Sequence, residues 1–407
     1  MTRLLVLGGG RHQVPLIKRA EERGIDVVLV DYLTDAPGRA FASHSELADA
    51  TDARAAVQVA ERHHVDGVIT TGTDLPIQTM AIVAEALDLP CYLTARSARM
   101  ATDKEEMFSS LGDKGIPMPP RWVVARDSQV AVEELPVVVK PADSQGQRGI
   151  TLVRDAAHLE DAVRAARAAS RSGRAIVESY LPGPEVTANA WIRKGIVDLL
   201  VVNDRITFNP SPHIGIAFQH RYPSVAAQPH LGSIVETVQS VAETYDIDTG
   251  PLYVQMIVTA ERPVVVEAAA RIGGGHESRL FLHLNGWSSD DALIDLALGD
   301  RPLDPPAVPE TAHALINFIL GREGTVADHK PLEPSEGVIE AHWYVRAGNS
   351  LTNVTNSLGR IGYFLATGST ASQLDTTAEA YYSRLRLPSA AGANLVRIPE
   401  RQMLNLP

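Results

Sequence analysis

Cysteine is all but missing: Cys91 is the only one in 407 residues. One thiol excludes an intrachain disulfide and a multi-cysteine zinc or iron–sulfur centre. Long hydrophobic runs are also missing, so no segment suits a membrane-spanning helix. The opening apolar run, cut by Gly8, is too short for a signal peptide. Basic residues are outnumbered, with 37 Lys and Arg against 49 Asp and Glu and a net charge of −12. Such a chain is a poor coat for nucleic acid or an anionic membrane, although a local basic pocket stays compatible. Apolar residues reach 45%, enough to bury a large core over several domains. A soluble, cytoplasmic protein with neither a nucleic-acid nor a membrane partner is expected.

What is present is an alternation of strand and helix signals. Residues 4–7 form an apolar run ending at Gly8-Gly9-Gly10, 14–22 have helical spacing with Pro15 in the first turn, and 27–30 form a run ending at Asp31. A helix over 55–63, a strand over 67–70 and a helix over 77–87 follow. Apolar strands separated by amphipathic helices predict an α/β fold that starts with a doubly wound parallel sheet and ends near Ala98. Past the linker 117–120 come a strand at 137–140, a polar glycine loop at 143–149, a helix at 159–169 and a strand at 175–178. Ser233 and Glu236 read as a capping box for a helix ending at Tyr245. Runs 252–258 and 264–268 flank a turn and predict a hairpin. The proline-rich stretch 302–309 marks a boundary, and the tail after Pro388 reads as an irregular peripheral extension.

The turn Gly8-Gly9-Gly10-Arg11-His12-Gln13 between strand and helix, with Asp31 ending the next strand, has the layout of a dinucleotide fold. Gln13 replaces the third glycine of that fingerprint, which argues against a nicotinamide cofactor. Two readings stay open. The glycines present N–H groups to an anionic ligand, or they make a tight turn with no ligand.

Chemistry-bearing residues follow in order. Lys104 lies in Asp103-Lys104-Glu105-Glu106-Met107, and Lys140 precedes the loop Asp143-Ser144-Gln145-Gly146-Gln147-Arg148-Gly149. A lysine beside a flexible glycine loop brings positive charge and backbone N–H groups to phosphates, and the loop can close as a lid. Glu178-Ser179-Tyr180-Leu181-Pro182-Gly183-Pro184-Glu185 ends an apolar strand in a carboxylate that folding does not require. Strand spacing puts Glu267, Ala269 and Arg271 on one face, and Gln255 can face the same way across the hairpin. Magnesium takes hard oxygen donors, which a carboxylate and a glutamine carbonyl supply and Ala269 cannot. The Arg271 guanidinium suits a carboxylate, its acyl-phosphate or an oxyanion. The glycines of Ile272-Gly273-Gly274-Gly275-His276 let backbone approach a small ligand.

Taken in order, these motifs resemble the ATP-grasp superfamily, in particular its L-amino-acid-ligase-like and biotin-carboxylase-like members, which tie carboxylates to amines or related nucleophiles through an acyl-phosphate. The resemblance covers nearly the whole chain. It implies a pre-ATP-grasp domain over 1–98, an ATP-grasp fold over 99–310 with a lid at about 112–184, and a C-terminal α+β lobe over 311–407. It implies ATP and Mg2+ as cofactors, with Mn2+ as an alternative, and a small carboxylate and an amino-acid-like amine as substrates of a homodimer. On this resemblance Lys104 and Lys140 contact phosphates, and Ser144, Gln145 and Gly146 cover the triphosphate. Backbone groups at Ser179 and Leu181 read adenine, Glu178 accepts from its amino group, and Glu185 accepts from the ribose. Glu267 and Gln255 hold metal. The family usually has two acids and an asparagine there, so Gln255 and Ala269 are departures that favour a single anchored ion. Arg271 and Lys140 are the implied catalytic residues, and Arg271, Gly274, Gly275, His276 and His220 the implied substrate contacts. A purine-pathway ligase that carboxylates or formylates a ribotide, and a non-catalytic nucleotide-binding module, are the alternative readings.

Overall fold

Residues 4–7 are fully buried one after another, which requires a strand covered on both faces. In the computed structural model, which describes residues 2–124, 132 and 134–407, they belong to β1 (Arg3–Leu7). This strand pairs in parallel with β2 (Asp26–Asp31) and β4 (Gly67–Ile69), and β3 (His44–Leu47) adds to the outer edge of β2. The helices α1 (Val14–Glu22), α2 (Ala53–His63) and α3 (Pro76–Leu87) alternate with these strands. The edge strand β3 is mostly exposed and polar, so no apolar run announces it.

After α4 (Ala95–Met100), α5 (Lys104–Asp113) starts at a cap in which the Asp103 carboxylate accepts from the amides of Glu105 and Glu106. Lys104 is thereby fixed in the first turn. A small antiparallel sheet follows in the order β5-β8-β6-β7, built from β5 (Arg121–Val124), β6 (Val137–Pro141), β7 (Thr151–Val153) and β8 (Ala175–Ser179). One face packs on α6 (Leu159–Ala169) through Val137, Val139, Val163 and Val177. The expected lid over about 112–184 includes residues 125–131 and 133, which lie outside the described residues.

Most of the rest of the chain builds one ten-stranded sheet. Its grasp portion holds β9 (Glu185–Arg193), β10 (Ile196–Phe208), β11 (Ile216–Tyr222), then, after α7 (Leu231–Thr244), β12 (Gly250–Val258) and β13 (Pro263–Ala269). Next come α8 (Glu277–Asn285), α9 (Ser289–Ala297) and β14 (His313–Gly321). The C-terminal portion adds β16 (Val338–Trp343), β18 (Arg360–Gly368), α10 (Ala371–Arg384), β19 (Val396–Arg397) and β20 (Leu404–Asn405), while β15 (Gly324–Thr325) and β17 (Ser350–Leu351) pair with each other in a separate two-stranded sheet. The main path runs β13-β12-β9-β10-β11-β14-β18-β16, so the C-terminal strands extend the grasp sheet. Helix α9 locks this body to the parallel sheet. Arg19 and Arg23 pair with Asp291 and Asp295 at 2.8 and 2.6 Å. A Cβ at Gly67 would meet the carbonyl oxygen of Ala297 at 2.2 Å, so only glycine allows that approach. No described helix is long and apolar enough to cross a membrane.

Two local expectations fail. Ser233 does not cap α7: the helix starts at Leu231, fed by a 3-10 turn over Gln228–His230, and the Ser233 carbonyl accepts from Thr237 inside it. The turn already carries the chain into the helix, so the box has no N-terminus to close. The tail after Pro388 is not peripheral. Strand β19 pairs with β14, β20 pairs with β10, and Leu395 and Val396 are buried in the C-terminal core. Strands of two residues lie below the length at which periodicity is visible. Leu395→Ala is expected to lower unfolding free energy by about 2–4 kcal/mol, read as a shifted midpoint with unchanged slope in urea.

Candidate active site

Between the small antiparallel sheet and the grasp sheet lies a cavity of about 120 Å³. The nucleotide contacts expected from sequence, Lys104, Lys140, Ser144, Gln145, Gly146, Glu178, Ser179, Leu181 and Glu185, all line it, together with Gln255 and Glu267. Lys140 at the end of β6 and Glu178 at the end of β8 are nearly buried and meet at 2.7 Å. Lys140 also lies 5.1 Å from the centre of the Phe108 ring. One Glu178 oxygen therefore faces a lysine in this structure. The Ser179 amide donates to the Pro120 carbonyl at 2.8 Å, which removes that N–H from any base edge. Glu185 accepts from Arg205 at 2.5 Å and from Gln255 at 2.9 Å, where contact with a ribose was expected.

The glycine loop is pinned on two sides. The Gln145 amide sits 2.9 Å from Thr73 Oγ1, and its oxygen, oriented to satisfy both ends, accepts from the amides of Asp74 and Leu75 at 3.1 and 2.7 Å. On the other side the Ser357 amide donates to the Gly146 carbonyl at 3.0 Å. Gln145 thus serves the closed loop with its side chain. Ser144 Oγ, in contrast, is buried with no partner, an orphan hydroxyl that a phosphate oxygen would satisfy.

Gln255 and Glu267 face each other across the β12–β13 hairpin. Glu267 lies 3.4 Å from Lys104 Nζ. Burial alone would raise its pKa; the positive charges of Lys104, Arg271 and Lys140 outweigh burial and hold it well below the usual carboxylate range. Among the described residues no group of three His, Cys, Asp or Glu could hold a metal by itself. One carboxylate and one amide oxygen beside two lysines fit a magnesium ion completed by phosphate oxygens and water, and do not fit an all-protein cage.

Gln145, Gly146, Gln147, Gln255 and Glu267 also bound a second cavity of about 550 Å³, which reaches the N-terminal turn. Arg271 lines it and pairs with Asp74 at 2.5 Å. Burial opposes the Arg271 charge, and Asp74 and Glu267 more than restore it. Gly72 (φ +67°) curls the Asp74 loop over His12, where a Cβ would approach the His12 Cβ to 2.6 Å. Gly274, Gly275 and His220 line this cavity. His276 does not: its ring stacks on Tyr363 at 3.9 Å and bonds the Tyr344 hydroxyl, so it supports the wall from behind. In the N-terminal turn the Gly9 amide donates to Asp31 Oδ2 at 2.7 Å and the Leu33 amide to Oδ1 at 2.8 Å. The acid that would read a dinucleotide ribose is occupied, and Gly9 presents no free N–H.

Sequence reading missed Asp74, Arg205, Glu277, Arg360 and Asn405. Arg205 carried a signal, a lone arginine within the strand run 196–208. Asn405 had none; it comes from the tail, lines the nucleotide cavity and donates to the Gly183 carbonyl at 3.1 Å.

Comparison with known proteins identifies two domains. The model for the ATP-grasp domain matches residues 101–275, and that for L-amino acid ligase C-terminal domain 2 matches 317–388. The chain carries an ATP-grasp domain. This ATP-grasp chain is 26% identical over 404 residues to formate-dependent phosphoribosylglycinamide formyltransferase of Burkholderia lata, covering 96% of each. Its fold superposes on L-amino acid ligase from Bacillus licheniformis with a TM-score of 0.79 at 20% identity, covering 96% and 99% of the two chains. It superposes on the biotin carboxylase domain of Hydrogenobacter thermophilus 2-oxoglutarate carboxylase, crystallised with MgADP, with a TM-score of 0.74 at 16% identity over 97% and 91%. ATP and Mg2+ are the cofactors of ATP-grasp enzymes, and the donor sets above fit both.

Glu277, wholly buried, yields a pH prediction. Burial would raise its pKa, but His220 and the Gly275 amide outweigh burial and hold it at about 2. A depressed carboxylate stabilises the fold above its unfolded pKa, near 4.5, and loses that contribution as pH falls toward 2. Glu277→Gln should therefore cost about 2–4 kcal/mol at pH 7 and clearly less at pH 3, measured by urea unfolding at each pH.

Proposed function

We propose that this ATP-grasp chain is a carboxylate–amine ligase that activates a small carboxylate as an acyl-phosphate and joins it to the amine of an amino-acid-like acceptor. ADP and phosphate are the other products. One observation carries the reading: the cavity lined by Lys104, Lys140 and Ser144 and the Arg271 cavity share a wall of Gln145, Gly146, Gln147, Gln255 and Glu267. A phosphoryl group leaving the first space enters the second at that wall.

In this reading Lys104, Lys140 and the orphan Ser144 hydroxyl bind the triphosphate. Glu267 and Gln255 hold magnesium, which when bound neutralises phosphate charge. Arg271, oriented by Asp74, clamps the carboxylate and then stabilises the oxyanion formed on amine attack. Arg11 and Arg360 line the same cavity, and among the described residues neither guanidinium has a carboxylate within ion-pair distance. Arg11 lies on the Tyr344 ring at 4.6 Å and Arg360 on Phe318 at 4.1 Å. Their uncancelled charge suits a second anionic group on the acceptor, such as the carboxylate of an amino acid. Arg360 falls within the segment matched by the L-amino acid ligase domain, which supports the amino-acid reading. The same arginines would suit a ribotide phosphate, and the formyltransferase relative supports that second reading. The homodimer implied by the resemblance belongs to the proposal, and light scattering on the eluting protein reads it.

The test is a panel of carboxylates, amino acids and aminoimidazole or glycinamide ribotides, with ADP release as readout. ADP formation is expected with an amino-acid pair, and Lys140→Ala or Glu267→Ala should lower it by about 10²-fold or more. AMP release, or full turnover in both variants, would refute the ligase reading; dependence on a ribotide would select the second one. Arg360→Ala is expected to raise KM for the acceptor by about 10-fold or more and to change KM for ATP little.

A further inference from the structure

A buried pair of ionisable residues in the wall of the larger cavity is unused by the roles above. Glu277, first residue of α8, is 0% exposed. One oxygen accepts from the Gly275 amide at 2.5 Å, and the other lies 3.2 Å from His220 Nδ1. His220, from β11, is itself buried, with its ring edge-on to Phe318. Both residues border the cavity that holds Arg271 and Gly274. Gly275 comes so near that a Cβ there would meet His220 Cε1 at 3.1 Å, so the ring edge bearing Cε1 and Nε2 is turned to the glycine stretch.

A carboxylate so far from water is costly unless its oxygens are engaged. One is, by an amide whose position only the glycine loop permits; the other rests on the nearness of the His220 ring, without hydrogen-bond geometry in this structure. An ionised carboxylate on Nδ1 selects the tautomer with hydrogen on Nδ1 and the lone pair on Nε2. Among the described residues neither ring nitrogen has a hydrogen-bond partner, and only Nδ1 has a carboxylate beside it.

The amide-forming step requires such a lone pair, because at neutral pH an amino-acid amine is an ammonium ion that cannot attack. The other groups near the pair do not supply it. Arg205 on β10 and Arg360 on β18 are cations, and Tyr253 on β12 is held protonated by burial. His276 is committed to Tyr344, and burial and Arg360 push His12 down to about 4.

We propose that His220, oriented by Glu277, is the general base that takes a proton from the acceptor ammonium. The inference rests on the ligase reading above. The ammonium N–H passes its proton to Nε2, and the freed nitrogen lone pair forms the C–N bond to the acyl carbon. The bond from that carbon to the phosphate oxygen breaks, and phosphate leaves with the electron pair. The second proton shed by nitrogen goes to the departing phosphate. His220 is the catalytic residue in this step, and Glu277 positions it.

Hydroxylamine, already unprotonated at neutral pH, separates the base from the activation step, because it traps an acyl-phosphate as a hydroxamate without needing one. The expected result in His220→Asn is a ratio of amide to hydroxamate lowered by about 10²- to 10⁴-fold. The residual amide rate should climb with pH along the ionisation of the amine itself. Glu277→Gln should shift the acid limb of the amide pH–rate profile to lower pH, since the imidazolium loses its carboxylate, and leave the hydroxamate profile in place. Equal loss of both products in a folded His220→Asn overturns the assignment. Should that variant not fold, an unmoved amide profile in Glu277→Gln overturns it instead. Absence of hydroxamate in the unmodified protein would overturn the ligase reading and not the base assignment alone.

Discussion

Opposite charges buried in pairs across distant segments are the constraint from which the site is made. Lys104 meets Glu267, Arg271 meets Asp74, Lys140 meets Glu178, and Arg205 meets Glu185. Lys104–Glu267 and Arg271–Asp74 join elements that share no sheet ladder, Lys140–Glu178 and Arg205–Glu185 bridge neighbouring strands, and removing one partner would leave a poorly solvated charge unpaired. The pairs also keep the cations ready. A triphosphate entering the first cavity competes with Glu178 and Glu267 for lysines already positioned, so little reorganisation accompanies binding.

The charge balance is uneven in a useful way. The chain carries a net −12, yet Arg11, Arg205, Arg271 and Arg360 converge on one cavity. A cleft with low-dielectric walls concentrates the field of such a group. Asp74 and Glu185 offset Arg271 and Arg205, which leaves Arg11 and Arg360 as the cations in this cleft without a carboxylate partner among the described residues.

Close backbone approach is the second recurring device. Gly67 admits the carbonyl of Ala297, and Gly275 brings its amide to a fully buried acid. At the metal position the chain departs from two acids and an asparagine, with Gln255 opposite Glu267 and Ala269 unable to ligate. Gln255 also donates to Glu185, which Arg205 anchors. The proposed metal position is tied together by neighbours on the sheet face, and it offers few formal charges to a cation.

Local patterns determined much. Apolar runs, helix periodicity and the hairpin around residues 259–262 depend on neighbours a few positions apart, and the helix bounds 14–22 and 159–169 agree with them. Lys104, Lys140, Glu178 and Glu267 could be selected as a set because their residue types and order suit a triphosphate. What those side chains touch could not. That Glu178 binds Lys140, that Gln145 holds the loop against Thr73, that His276 stands behind the wall and that Glu277 grips His220 all depend on contacts between residues far apart in the chain. The tail is the clearest case. Its two short strands have no periodicity of their own and acquire one only by pairing with β14 and β10. Packing supplies that pairing, because buried polar groups must find partners wherever the fold brings them.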